Sequence, residues 1–309
     1  MADWVRELQP VLPRGLDEEL TEVLKELIEA QEISVVCVER QQSAHSRWEL
    51  AAVGTSGFIG NELAAMYESD HPFPNLNLTL LERKRVKCQE PGILTVDEIG
   101  RGNRAGGLNL FILWWIHKDL DYDFTKQHVR ELFEQAHDVL VAYHVGHKVN
   151  QIIFEGWESV RDATLAVGFK EVIVFPERTA MRFPDAYSDQ TLLVSRATRA
   201  ECLGLPPGSI AARLFRFTSR YQPPICCFTS DEQFVLERAL MGESNEEIAE
   251  VLERSEGWVK AQWGLIYGIM EDHGLIERHR EGQRGSARRD DVLEYVANHP
   301  EELRPYAYA

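Results

Sequence analysis

Two short runs, Thr229-Ser-Asp-Glu232 and Ser244-Asn-Glu-Glu247, constrain this chain more than any other feature. Each places a hydroxyl three positions before a carboxylate, so that the two side chains can satisfy backbone amides left without partners by the first turn of a helix. Each run therefore marks a helix start. Ser255 is suited to cap a third helix over about Glu256 to Met270, and Gly242 suits the turn that closes the first. Val235, Leu236, Leu240, Ile248, Ala249, Leu252, Val259, Ile266 and Met270 fall at helical spacings that can meet in one small core. The sequence predicts three short helices packed around that core.

The residues around these starts resemble the LuxR/GerE-type helix-turn-helix. Phe228-Thr-Ser-Asp-Glu-Gln-Phe-Val-Leu236 stands where the family opens with Leu-Thr-x-Arg-Glu-x-x-Val-Leu, and Gly242-Glu-Ser-Asn-Glu-Glu-Ile-Ala249 follows without a gap. Ser255-Glu-Gly-Trp-Val-Lys260 is similar to the Ser-Glu-x-Thr-Val-Lys at the head of the family's recognition helix. The resemblance implies a transcription regulator that binds double-stranded DNA as a homodimer, with the third helix entering the major groove and its N-terminal residues toward base edges. Lys260 matches a family lysine suited to a phosphate or guanine contact, and Gln262, where the family has His, can read adenine by paired hydrogen bonds. Ser255 and Asn245 can set amides or side chains against phosphates. Trp258 replaces the family's Thr, while Gly264, Gly268 and Ile269 occupy positions where the helix often carries Lys or Arg. A last helix, Asp291 to Asn298, would serve dimerisation.

Charge sets a condition on that reading. The formal net charge is −17, and Phe228 to Arg278 holds twelve acidic against four basic side chains, whereas affinity for phosphate comes mainly from Lys and Arg. An arginine-rich arm, Arg278, Arg280, Arg284, Arg288 and Arg289, follows the third helix and is the nearest source of compensating charge. Trp258 and Trp263, five positions apart on one helix, point about 140° from each other, so one of them is expected outside the core. The acidity and Trp258 also admit a second reading: a helix-turn-helix that acts through protein-protein contact instead of DNA.

Upstream, Tyr221-Gln-Pro-Pro-Ile225 breaks regular structure and sets the expected boundary between residues 1–225, a signal-receiving domain, and 226–309, the helix-turn-helix domain with a C-terminal extension. Leucines from Leu16 to Leu27 predict an amphipathic helix, and Ile33 to Val38 with Trp48 to Val53 a hairpin. A helix is expected at Asn61 to Met66. Strands are expected at Leu76 to Val86, Ile93 to Val96, Leu108 to Ile116, Glu171 to Phe175, Thr191 to Val194 and Ile210 to Phe217, with a turn over Gly100 to Gly107. One long helix from Phe124 to Val149 and another over Ile152 to Phe169 complete the pattern. The expected fold is α+β, an antiparallel sheet with flanking helices in the manner of a PAS or GAF module, followed by the small all-α part.

Several function classes find no support in the residues. The longest apolar run, Leu108 to Ile116, is about half the roughly 20 residues a membrane span needs. Met1 to Arg14 has no apolar core of a secretion signal, so a cytoplasmic protein is expected. Cys37, Cys88, Cys202, Cys226 and Cys227 form no metal or disulfide spacing. His137, His144 and His147 fall on one predicted helix face, yet no carboxylate completes a metalloprotease motif, and no Walker loop or Gly-x-Ser-x-Gly appears. The chain is therefore expected to be no enzyme and to need no cofactor. No phosphoacceptor pattern follows the first strand, and Trp114, Trp115 and Tyr122 do not reproduce the spacing of the acyl-homoserine-lactone module. The signal, small molecule or protein, stays open.

Overall fold

The computed structural model describes residues 18–41, 48–67, 75–88, 92–117, 126–166, 168–175, 192–202, 204, 215, 221–277 and 285–307. Helix α1 (Glu18–Glu29) leads into the hairpin of β1 (Ile33–Gln41) and β2 (Trp48–Ile59). Then come α2 (Asn61–Tyr67), α3 (Leu76–Arg85), α4 (Val96–Arg104), β3 (Leu108–His117), α5 (Gln127–His144) and β4 (Val149–Trp157). Next are α6 (Arg161–Ala166), β5 (Lys170–Phe175), β6 (Leu192–Thr198) and α7 (Arg199–Cys202). The six strands form one sheet in the order β1-β2-β3-β4-β6-β5, antiparallel except for β3 beside β4. That parallel pair brackets α5 in the sequence, as a helical crossover demands.

Strand alternation divides the core into two layers. Phe111 and Ile153 join a cluster with Leu24, Leu27, Leu78 and Leu81 from α1 and α3, whereas their neighbours Ile112 and Ile152 join Val141 of α5 and Phe169 on the opposite face. Glu155 of β4 lies buried on the first face. It accepts hydrogen bonds from the Tyr67 hydroxyl at 2.7 Å and from the backbone amides of Asn75 and Leu76 at 2.8 and 2.9 Å. Asn75 gives α3 no side-chain cap, so this distant carboxylate satisfies the helix start instead. Burial pushes the Glu155 carboxyl up to about 7, against the pull of those donors.

A separate cluster holds the helical part, α8 (Ser230–Leu240), α9 (Asn245–Val251), α10 (Glu256–Asp272) and α11 (Gly285–Asn298), closed by a 3-10 turn at Pro300–Leu303. Val235, Leu236, Ile248, Ala249, Val259, Ile266 and Met270 are buried in it, and Leu252 packs against it half-buried. Leu240, expected in the core, is 38% exposed at the last residue of α8.

Several expected elements are replaced. Leu76 to Val86 is helical, not a strand: residues Leu76 to Leu81 are all buried, so the polar outer face that reveals a helix is missing from that half. Gly100 to Gly107 is not a turn throughout, because Thr95 and Glu98 form a capping box that starts α4 at Val96; only its end turns, with Gly107 at φ 87°. Ile93 contributes a single bridge to Ile59 instead of a strand. The long helix over Phe124 to Val149 stops at His144, where Gly146 takes φ 91°, and Ile152 to Phe169 is mostly β4 and the short α6. Ile210 to Phe217 lies outside the described residues except for Phe215, which is buried.

Candidate nucleic-acid interface

The capping residues set the geometry of the candidate site. Thr229 and Ser244 each accept from the amide three residues on, while Glu232 and Glu247 reach back to the cap amides at 2.7 Å. The bonds from Ser244 hold the exposed Glu247 carboxyl below its ordinary range. The hydroxyl of Ser255 accepts from the Trp258 amide at 3.2 Å and begins α10. Seventeen residues make α10 about 25 Å long. Val259, Trp263, Ile266 and Met270 bury one face of it. At the helical period the opposite face carries Gly257, Ala261, Gly264 and Gly268, with Leu265 beside them 56% exposed. Apart from its chain neighbours and the helix's own backbone, no heavy atom comes within 4 Å of a Cβ built on Gly264 or Gly268. This outward face is thin, so another surface can approach its backbone closely.

Among the residues singled out from the sequence, Ser255 and Lys260 are exposed, and Gln262 and Trp258 are half-buried. Lys260 pairs with Glu256 one turn earlier at 2.7 Å; an exposed pair of this kind is worth about 0.3–0.5 kcal/mol and yields readily to a phosphate. Trp258 packs against the core with the Arg254 guanidinium 5.8 Å from its ring centroid, so neither tryptophan is fully exposed, and Trp263 is the buried one.

Asn245, Arg288 and Arg289 are placed differently from the sequence expectation. The Asn245 side-chain oxygen accepts from Trp263 Nε1 at 3.2 Å and from Arg289 at 3.4 Å. Arg289 also donates to the Glu243 carbonyl at 2.7 Å and lies 5.0 Å over the Trp263 ring. Arg288 bonds to Glu271 and lies 4.2 Å over the Tyr267 ring. All three side chains join α9, α10 and α11 to one another. Nothing in the sequence pattern marks Trp263 and Tyr267 as the faces these cations would choose, except that both lie on the flank of α10 facing α11. Arg278, Arg280 and Arg284 lie outside the described residues. The exposed side chains of α9 and the turn after it include Glu246, Glu247, Glu250 and Glu253, so the segment that leads into α10 is acidic.

His137 and His144 do share α5, with His147 just beyond it. His144 and His147 are buried, and among the described residues no group of three His, Cys, Asp or Glu could hold a metal ion. Ser56 Oγ lies 2.8 Å from His144 Nε2. Burial, with Arg304 nearby, pushes His144 down to about 3 and His147 well below its ordinary value. Among the described residues no helix is long and apolar enough to cross a membrane.

No protein-family model matches the chain, and neither does any curated protein. Among solved structures it is similar to one described as SdiA in complex with octanoyl-rac-glycerol, at 14% sequence identity and a TM-score of 0.19, over 100% of this chain and 99% of that one. A superposition that loose carries no argument about fold or function.

Proposed function

We propose that the chain is a cytoplasmic transcription regulator, in which residues 1–225 receive a signal, a small molecule or a protein, and α10 meets double-stranded DNA in a homodimer. The observation that supports it best is local: α9 and α10 are joined by a tight turn, α10 is capped by Ser255, and its first half is exposed through Ser255, Glu256, Gly257, Lys260 and Ala261. A helix presented this way can enter a major groove by its N-terminal half. Arg289 and Asn245 act in this reading as positioning residues, since they fix α10 between α9 and α11 and leave the base edges to α10 itself. Enzymatic activity forms no part of it.

The test is a fluorescence-anisotropy titration of duplex from the region upstream of the protein's own gene, run from low to moderate salt. Binding should weaken with salt, and Lys260→Ala should reduce the slope of log K against log salt by about one unit, as loss of one phosphate contact requires. No binding at the lowest salt, across a range of duplexes, rejects the proposal.

A specific set of observations favours a second reading, a module that binds protein. Arg288 and Arg289 are engaged inside the molecule, while Met241, Val251 and Leu265 are 65%, 52% and 56% exposed on α8 to α10. Leu265→Ser would disrupt that contact, whereas the DNA reading expects it to leave the salt slope unchanged.

A further inference from the structure

The two hydrophobic units of this chain meet along a seam that is not close-packed. A cleft of about 490 Å³ separates β1 and α4 from α8. The segment Pro300 to Ala307 crosses the seam beside it.

On the helical side that segment is tied down repeatedly. The Glu302 carboxylate, 1% exposed, accepts from the amides of Ile225 and Cys226 at 2.8 and 3.0 Å and from the Tyr295 hydroxyl at 3.1 Å. Gln233 of α8 donates to the carbonyls of Glu302 and Arg304 at 3.0 and 3.1 Å. On the sheet side, among the described residues, Arg304 and Asn103 tie the segment down and the fit is tight. Arg304 Nε donates to the Val145 carbonyl at the end of α5, and Asn103 of α4 donates to the Pro305 carbonyl at 2.8 Å. A Cβ on Gly146 would lie 2.5 Å from the Pro300 oxygen, and one on Gly100 would lie 3.0 Å from the Ala307 nitrogen. At Gly146 only glycine allows the backbones to approach this closely and take φ 91°, while at Gly100 a side chain would press the neighbouring backbone back by a few tenths of an ångström. Arg304 joins the two sides, because the guanidinium that holds Val145 also pairs with Glu237 of α8 at 2.7 Å.

We infer that Pro300 to Ala307 is a latch, fixed to the helical part and seated reversibly on the sheet through Arg304, Asn103, Gly100 and Gly146, and that its unseating is the low-energy opening of this molecule. The ties among the described residues favour release from the sheet side. Unseating breaks the Arg304 and Asn103 bonds and leaves the Glu302 and Gln233 bonds whole, so the latch departs with α8 to α11. The end of α5 then becomes the point at which an event in the sheet layer is passed to α10. This role for the latch rests on the regulator reading; the latch itself is a property of the chain.

Hydrogen exchange on the full chain tests it, comparing wild type with Arg304→Gln and Gly146→Val. Both variants should speed exchange at least tenfold in 96–104, 144–149 and 300–307, while amides of Val235, Val259 and Ile266 stay within twofold of wild type. Acceleration that spreads equally through α8 to α10 would make the segment an integral part of the helical core and overturn the latch. Unchanged exchange at the seats in both variants would overturn it as well. Where Gly146→Val fails to fold, Asn103→Ala removes a tie on the same side and carries the same expectation. Duplex affinity of these proteins is measured separately, so a wild type that ignores DNA but shows the exchange pattern rejects the regulator reading and upholds the latch.

Discussion

Burial moves the protonation of Glu155 and His144 in opposite directions, and the sign of each shift fixes how stability answers to pH. Glu155 rises from 4.5 to about 7 in the folded chain. Its contribution is fully present below pH 4.5 and is lost as pH climbs through about 7, because the unfolded chain gives up the proton first. His144 falls from 6.5 to about 3, so its contribution is present above 6.5 and is lost as pH drops toward 3. Glu155→Gln removes only the first effect. Urea unfolding of wild type and this variant should therefore show a difference in stability that changes by roughly 3 kcal/mol between pH 4.5 and 8, wild type losing ground as pH rises. Parallel stability curves for the two proteins would show that Glu155 is not the group responsible. No sequence signal pointed to Glu155, since it sits mid-strand and its partners Tyr67 and Asn75 come from eighty or more residues away.

At the scale of elements, α10 has one face that is buried in the helical cluster and one that the proposed function assigns to binding. Ser255→Ala should lower stability by about 1 kcal/mol through the lost cap. Gly264→Ala and Gly268→Ala have open space around the added methyl and should each raise stability by about 0.5–1 kcal/mol in a thermal melt. If the outward face of α10 meets DNA or a partner by close backbone approach, the same substitutions weaken binding while strengthening the fold; gain in both would show that this face touches nothing. The starts of α8, α9 and α10 were legible because a cap is a local transaction among four residues. The start of α4 carried the same Thr-x-x-Glu signal, hidden by Gly100, Gly102, Gly106 and Gly107 behind it. By contrast α3 could not be read correctly, since a half-helix buried all round has no polar side and Leu-Asn-Leu-Thr imitates strand alternation. The inward turn of Arg288 and Arg289 was equally hidden, because their charge is visible in sequence and the rings that receive it are chosen only by packing.

For the molecule as a whole, the four hydrophobic clusters of the described residues, and the bonds of Glu302, bear on where the chain can be divided. The helical cluster runs from Cys226 to Leu303 and shares no member with the three clusters on the sheet. Yet the boundary expected between 225 and 226 falls inside a knot, because Glu302 accepts from the amides of both Ile225 and Cys226. A buried carboxylate stripped of donors costs on the order of 1–3 kcal/mol for each unmade bond, a large part of the stability of a domain this small. Residues 221–309 should therefore fold alone and melt cooperatively. Residues 226–309, which keep the same hydrophobic cluster but lose the Ile225 donor, should melt lower by roughly 5–10 °C. Circular dichroism melts of the two fragments make the comparison directly. A non-cooperative melt of the longer fragment would mean that the sheet is part of its fold, and that α8 to α11 is not a unit that can be repositioned. Equal melting of both would mean that Glu302 finds its donors elsewhere, and that the division of the chain is set by the hydrophobic cluster alone.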